Sequence, residues 1–227
     1  MVRSRPQRSW PGDELDLTEA LCNSPDSDSR KQGPVNKITP REFRNAFVAT
    51  MKAEHDAFRT AVGFESKSYN YFMRSTIYPK IAKQLGLQSW NKDYHTLDGM
   101  FYEERGEDRV GNYTAYAKWI SVALEHVNNA SKAHEAINKL QMFNAPLKVL
   151  ITYAQGEDAD LFLSKCEKII YDADVFEDFA DLRRQLVILG TPKTVREWQF
   201  YVYEPDGFVL MLPTRDPVYS AESDARI

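Results

Sequence analysis

The sequence predicts an α/β protein with a central mixed β-sheet flanked by helices, and three stretches carry that prediction. Residues 39–86 read as helices, residues 118–153 as strand, helix and strand, and residues 198–212 as a β-hairpin. In the middle stretch, Trp119, Ile120, Val122 and Leu124 form an apolar, β-rich run of the length a buried strand needs. The run ends at Glu125-His126, before the turn-favouring pair Asn128-Asn129. Over 131–142, Ala133, Ala136, Ile137 and Leu140 recur at three- and four-residue steps, which predicts a helix with one buried face, closed by Asn144 and Pro146. LKVLITY at 147–153 is then a strand apolar almost throughout, as expected of one covered on both faces. A strand, a crossover helix and a parallel strand form one right-handed unit, and the carboxyl ends of such strands face the crevice where ligands bind. Glu125 sits near such an end.

Taken in order, residues 1–36 hold Pro6, Pro11, Pro25, Gly33, Pro34 and the cluster SPDSDSRKQGP. That composition buries too little apolar surface to offset the entropy of ordering, so a disordered tail is expected. The folded domain is expected over 37–213, with a flexible polar tail over 214–227. Thr39 can cap the first helix, Pro40 suits its first turn and Glu42 completes a capping box. Phe43, Phe47, Val48, Met51 and Phe58 form its expected buried stripe, and Gly63 breaks the helix. The second helical stretch, 66–85, carries Tyr69, Tyr71, Phe72 and Tyr78 at helical spacing, a predicted core group; Pro79 kinks or divides it and Gly86 caps its end. Within 93–103, Asp98-Gly99 reads either as a hairpin turn or as a strand carrying an acid. After a charged loop and the central unit, a helix from Asp158 carries Leu161, Leu163, Cys166, Ile169 and Ile170, with 176–182 as a possible helical extension. QLVIL at 185–189 reads as another strand. Glu204-Pro205-Asp206-Gly207 then joins the two strands of a C-terminal β-hairpin.

With 227 residues, 43% of them hydrophobic and 27% charged, the chain can bury a full core as one domain with tails. No apolar run approaches the length of a membrane span, and the first residues do not resemble a signal peptide, so a soluble cytoplasmic protein is expected. Two cysteines, Cys22 and Cys166, are too few for a disulfide framework and wrongly spaced for zinc. A net charge of −4 argues against a surface coated in basic groups but leaves room for a local basic groove.

The candidate chemistry rests on Asp98 and Glu125, both at ends of expected neighbouring strands. Two converging carboxylates make the oxygen-rich kind of site that Mg²⁺ takes, with waters and substrate phosphates completing its shell. Lys80, Lys83 and Arg74 share the second helical stretch and are candidates to touch nucleic-acid phosphates, although a solvated basic face explains them equally well. An exposed tyrosine of the aromatic group would offer a stacking face for a base.

On these residues the chain resembles the PD-(D/E)XK nuclease superfamily, the restriction-endonuclease-like fold. The family motif is an acid at the start of one strand, then on the next strand an acid, any residue and usually Lys, followed by a helix and another core strand. The matching residues are Asp98, then Glu125-His126-Val127, then the helix at 131–142 and the strand at 147–153, so that the resemblance covers roughly 43–153. Glu65 looks like the additional acid that some members place in their first helix. The resemblance implies a metal-dependent nuclease acting on DNA, with Mg²⁺ or Mn²⁺ held by Asp98, Glu125 and Glu65. Restriction-type members often act as dimers, which leaves a homodimer open. The departure is Val127, which strand alternation places on the face of Glu125 where the family has its Lys. Lys118 falls on the opposite face, which leaves Lys67 or Lys132 as the substitute catalytic cation.

Two other readings stand beside this one. In the first, the domain is nuclease-like but has lost its chemistry, as Val127 suggests, and binds nucleic acid or a protein. In the second, the fold is an unrelated α/β type, Glu125 is a surface acid, Asp98 a hairpin residue and His126 a packed histidine, and the two acids do not meet.

Overall fold

The computed structural model describes residues 37–62, 66–90, 97–103, 119–128, 130–153, 159–173, 184–190 and 198–212. The expected tails, Glu65, Lys118 and the possible helix at 176–182 lie outside the described residues. The first helix, α1, runs Pro40–Ala53 from a complete capping box: Thr39 Oγ1 accepts the Glu42 N–H, and the Glu42 carboxylate accepts the Thr39 N–H at 2.7 Å. After α2 (His55–Val62) comes α3 (Ser66–Phe72), which passes through one π-helical segment, Met73–Ile77, into α4 (Tyr78–Gln84). Pro79 explains the π segment. Its ring would collide with the carbonyl one turn back in a regular helix, and the wider turn, closed by the Tyr78 N–H on the Met73 carbonyl, makes room.

Among the described residues seven strands form one sheet in chain order: β1 (Gln88–Trp90), β2 (Gly99–Glu103), β3 (Trp119–Val127), β4 (Leu147–Tyr153), β5 (Arg184–Gly190), β6 (Trp198–Glu204) and β7 (Gly207–Leu210). The central pairs β3–β4 and β4–β5 are parallel and the outer pairs antiparallel, so the sheet is mixed as expected. Between β3 and β4 lie a 3-10 turn (Ala130–Lys132) and α5 (Ala133–Gln141); α6 (Ala159–Ala173) joins β4 to β5. The short edge strand β1 has no counterpart in the sequence reading. Three residues, two of them polar, carry too little pattern to announce a strand; pairing with β2 creates it.

Strand alternation divides the core into two layers. Val122 and Leu124 of β3, Val149 and Ile151 of β4, and Leu186 and Ile188 of β5 pack with Phe43, Phe47, Met73, Ile77 and Ile81 on the side of α1–α4. Ala123, Leu150 and Val187 face Ala136, Ile137 and Leu140 of α5 and Phe162, Cys166 and Ile170 of α6. Two expected core residues are exposed instead, Val48 at 40% and Tyr71 at 73%, because each lies on the outward flank of its helix while other side chains fill the inward stripe. Among the described residues no helix is long and apolar enough to cross a membrane.

Candidate functional site

β3 is antiparallel to β2 and parallel to β4 and β5, so the start of β2 and the carboxyl ends of β3, β4 and β5 lie at one end of the sheet. Asp98, immediately before β2, and Glu125, near the end of β3, meet there. The Asp98 N–H donates to Glu125 Oε1 at 3.3 Å, and the His126 N–H donates to Asp98 Oδ2 at 2.8 Å. Asp98 therefore resolves as the acid leading into a strand, not as the turn of a hairpin. Gly99 behind it leaves room for a close approach: a Cβ there would come to 3.2 Å from the Tyr78 ring, which would have to give by a few tenths of an ångström.

The two acids hold different cations. Arg74, at the start of the π segment, forms an ion pair with Asp98 Oδ1. Lys139, from the flank of α5, approaches Glu125 Oε2 at 2.6 Å. Glu125 is 3% exposed, and burial raises its pKa to about 7, with the Lys139 hydrogen bond opposing and the Asp98 charge reinforcing the shift. Val127 shares the Glu125 face and packs against the α5–α6 layer, as strand parity requires.

Lys139 is the residue that sequence reasoning missed. Lys132 lies exposed in the 3-10 turn before α5, and Lys67 falls in α3 with its side chain outside the described residues. The available signal was position: Lys139 sits between Ala136 and Leu140, at the edge of the stripe that faces β3, where a long side chain reaches past the buried face. Of the remaining basic candidates, Lys80 pairs with Glu54, and Lys83 is exposed.

On the other face of β3, His126 is enclosed by tyrosines. Tyr78 Oη lies 3.0 Å from Nδ1, while Tyr153 Oη at 3.2 Å and Tyr69 Oη at 3.4 Å address Nε2; Tyr69 and Tyr153 also hydrogen-bond each other. Burial lowers the His126 pKa to about 4, so the ring is neutral at pH 7, one nitrogen donating and the other accepting. Burial likewise raises all three phenols above their ordinary range. Gly190 belongs to the same packing: a Cβ there would lie 2.7 Å from both Tyr153 and Trp198. Asn70, Arg74, Tyr78, Asp98 and His126 close around a gap too tight to hold a water molecule, and Asn128 donates to Asn70 at 3.3 Å.

As a donor set, Asp98 and Glu125 offer hard carboxylate oxygens, which suits Mg²⁺ when waters and substrate oxygens complete the shell. Among the described residues no group of three or more His, Cys, Asp or Glu side chains is placed to hold a metal. Scanned against protein-family models and searched against curated proteins, the chain finds no match in either.

Proposed function

We propose that the chain is a metal-dependent nuclease with a restriction-endonuclease-like core, hydrolysing phosphodiester bonds in DNA. The observation that carries this reading is the convergence of Asp98 and Glu125 at one end of the sheet, with the Asp98 N–H 3.3 Å from the Glu125 carboxylate. The order of elements supports it: helices, an antiparallel pair β2–β3, then α5 and the parallel strand β4. Asp98 and Glu125 would hold the metal, and Glu65 is a candidate to join them. A bound divalent ion supplies charge neutralisation at the phosphate and lowers the pKa of a coordinated water. Lys139 replaces the cation that Val127 removes from the motif, standing beside the same carboxylate from α5 instead of from β3. It is positioned to balance negative charge developing on the phosphoryl oxygens.

The test is titration calorimetry with Mg²⁺ and Mn²⁺ on the wild type and on Glu125→Ala, beside cleavage of plasmid DNA with and without chelator. Metal binding is expected in the wild type and absent from the variant, with cleavage reduced at least about 10²-fold, the loss typical of removing one transition-state-stabilising group. Failure of the wild type to bind metal even with DNA present overturns the reading.

One arrangement favours a second reading, a nuclease-like domain that binds nucleic acid or a protein without cleaving. Each acid is already neutralised by a cation of the same chain, Arg74 for Asp98 and Lys139 for Glu125. Metal binding without cleavage would select it.

A further inference from the structure

We propose that Arg74 exchanges between two anions: with no substrate bound it caps Asp98, and a backbone phosphate of the nucleic acid draws it away, so that substrate and metal bind cooperatively. This deepens the nuclease reading and rests on its metal site.

Three observations carry the exchange. Arg74 pairs with the same carboxylate that the metal would need, so one Asp98 oxygen is occupied by a guanidinium while the other accepts the His126 N–H. The pair is only partly covered, with side chains 31% and 22% exposed, which leaves the guanidinium able to reach an incoming anion without crossing the core. Finally, Arg74 has Asn70 beside it in the lining of the tight gap, and the exposed Asn128 donates to Asn70 at 3.3 Å: a planar cation with two carboxamides near the surface, groups that contact phosphate oxygens. A guanidinium fork matches a phosphodiester as well as it matches a carboxylate.

The energetic consequence is reciprocal coupling. Metal displaces Arg74 from Asp98 at the cost of that ion pair, and a phosphate that accepts Arg74 removes the cost. The phosphate therefore strengthens metal binding by the same factor by which metal strengthens phosphate binding, about tenfold within the usual range for coupled sites.

The experiment titrates Mn²⁺ into the full chain by calorimetry, alone and with a phosphorothioate DNA duplex that resists cleavage, for the wild type, Arg74→Gln, Arg74→Lys and Asp98→Asn. The duplex should tighten Mn²⁺ binding to the wild type about tenfold. Arg74→Gln should bind Mn²⁺ about tenfold more tightly than the wild type without DNA, and the duplex should tighten its binding less than it tightens that of the wild type. Arg74→Lys, which keeps the charge but loses the fork, should fall between them and keeps the test open if the glutamine variant does not fold. Equal Mn²⁺ affinities in the wild type and both Arg74 variants, with Asp98→Asn still abolishing binding, would overturn the exchange and leave the metal site standing. Absence of Mn²⁺ binding in every protein, with and without duplex, would remove the metal site and the exchange with it.

Discussion

Glu125 and His126 are adjacent on β3, and the two helical layers treat them in opposite ways. Glu125 faces α5 and α6, where Lys139 reaches its carboxylate; His126 faces α3 and α4, where Tyr69 and Tyr78, with Tyr153 of β4, enclose the ring and burial keeps it neutral. The division extends across the sheet. Ser121 and Glu125 of β3, Lys148 and Thr152 of β4 and Gln185 of β5 are all buried on the α5–α6 side, with Lys148 and Gln185 both donating to Gln141 of α5. On the α1–α4 side, His126 is the buried polar residue of the described strands. The aromatic layer meets the His126 ring with phenol hydroxyls and ring surfaces, which satisfy a neutral imidazole. A helix flank with Lys139 and Gln141 brings charge and amides to the buried surface, so it tolerates ions. One strand thus places a titratable acid and a neutral histidine side by side, each supported by a different layer.

The largest expected effect comes from breaking the aromatic layer. Tyr78 is 1% exposed, its ring covers Gly99 and its hydroxyl meets His126, so Tyr78→Ala should destabilise the fold by about 4 kcal/mol, the cost of deleting a large buried ring. Tyr78→Phe should cost only about 1 kcal/mol, the net worth of one hydrogen bond. Urea unfolding of both variants checks the ring against the hydroxyl; equal losses would mean that the hydroxyl, not the ring, organises this layer.

Stability against pH sharpens the contrast between neighbours. The folded pKa of Glu125 is raised from 4.5 to about 7, so the folded chain holds this proton more tightly, and the associated stability is present below 4.5 and lost as pH rises toward 7. For His126 the folded pKa falls from 6.5 to about 4; its contribution is present above 6.5 and lost as pH falls toward 4. The two contributions oppose each other across the shared window, each of order 3 kcal/mol. Glu125→Gln should leave the histidine alone, giving stability that rises from about pH 4 to 6.5, whereas His126→Gln should give stability that falls from 4.5 to about 7. Denaturation midpoints across this range decide the matter, and parallel slopes in the two variants would refute the opposition.

The smallest effect is expected away from both layers. Lys80 and Glu54 pair on the outer surface, with the lysine side chain 48% exposed, so Lys80→Ala should change stability by less than about 1 kcal/mol in thermal or urea melts. A larger loss would show that the helical layer depends on surface charge as well as on its rings.

The elements that carry strong periodic pattern were legible in the sequence. LKVLITY forms β4 over the residues expected, QLVIL forms the heart of β5, the capping box at Thr39 opens α1, and the Glu204 to Gly207 turn closes the β6–β7 hairpin. In each the signal is local: alternation, a continuous apolar run, a cap or a turn residue acts within a few neighbours. Pro79 likewise announced a break, which takes the form of the π segment Met73–Ile77 just before it. The acids were legible as candidates, but their meeting was not. Asp98 lies 27 residues before Glu125, and only the β2–β3 register brings the two to one end of the sheet.

The sequence by itself determined that this chain folds as helices around a mixed sheet and that Glu125 and Val127 share one face of β3, because both follow from period and parity along the chain. Tertiary structure alone decided which cation meets which acid. Lys139 and Arg74 approach from α5 and from the π segment, on opposite sides of the sheet, through contacts between elements far apart in sequence. No spacing rule encodes them, because a long side chain reaches its partner only after the helices have docked.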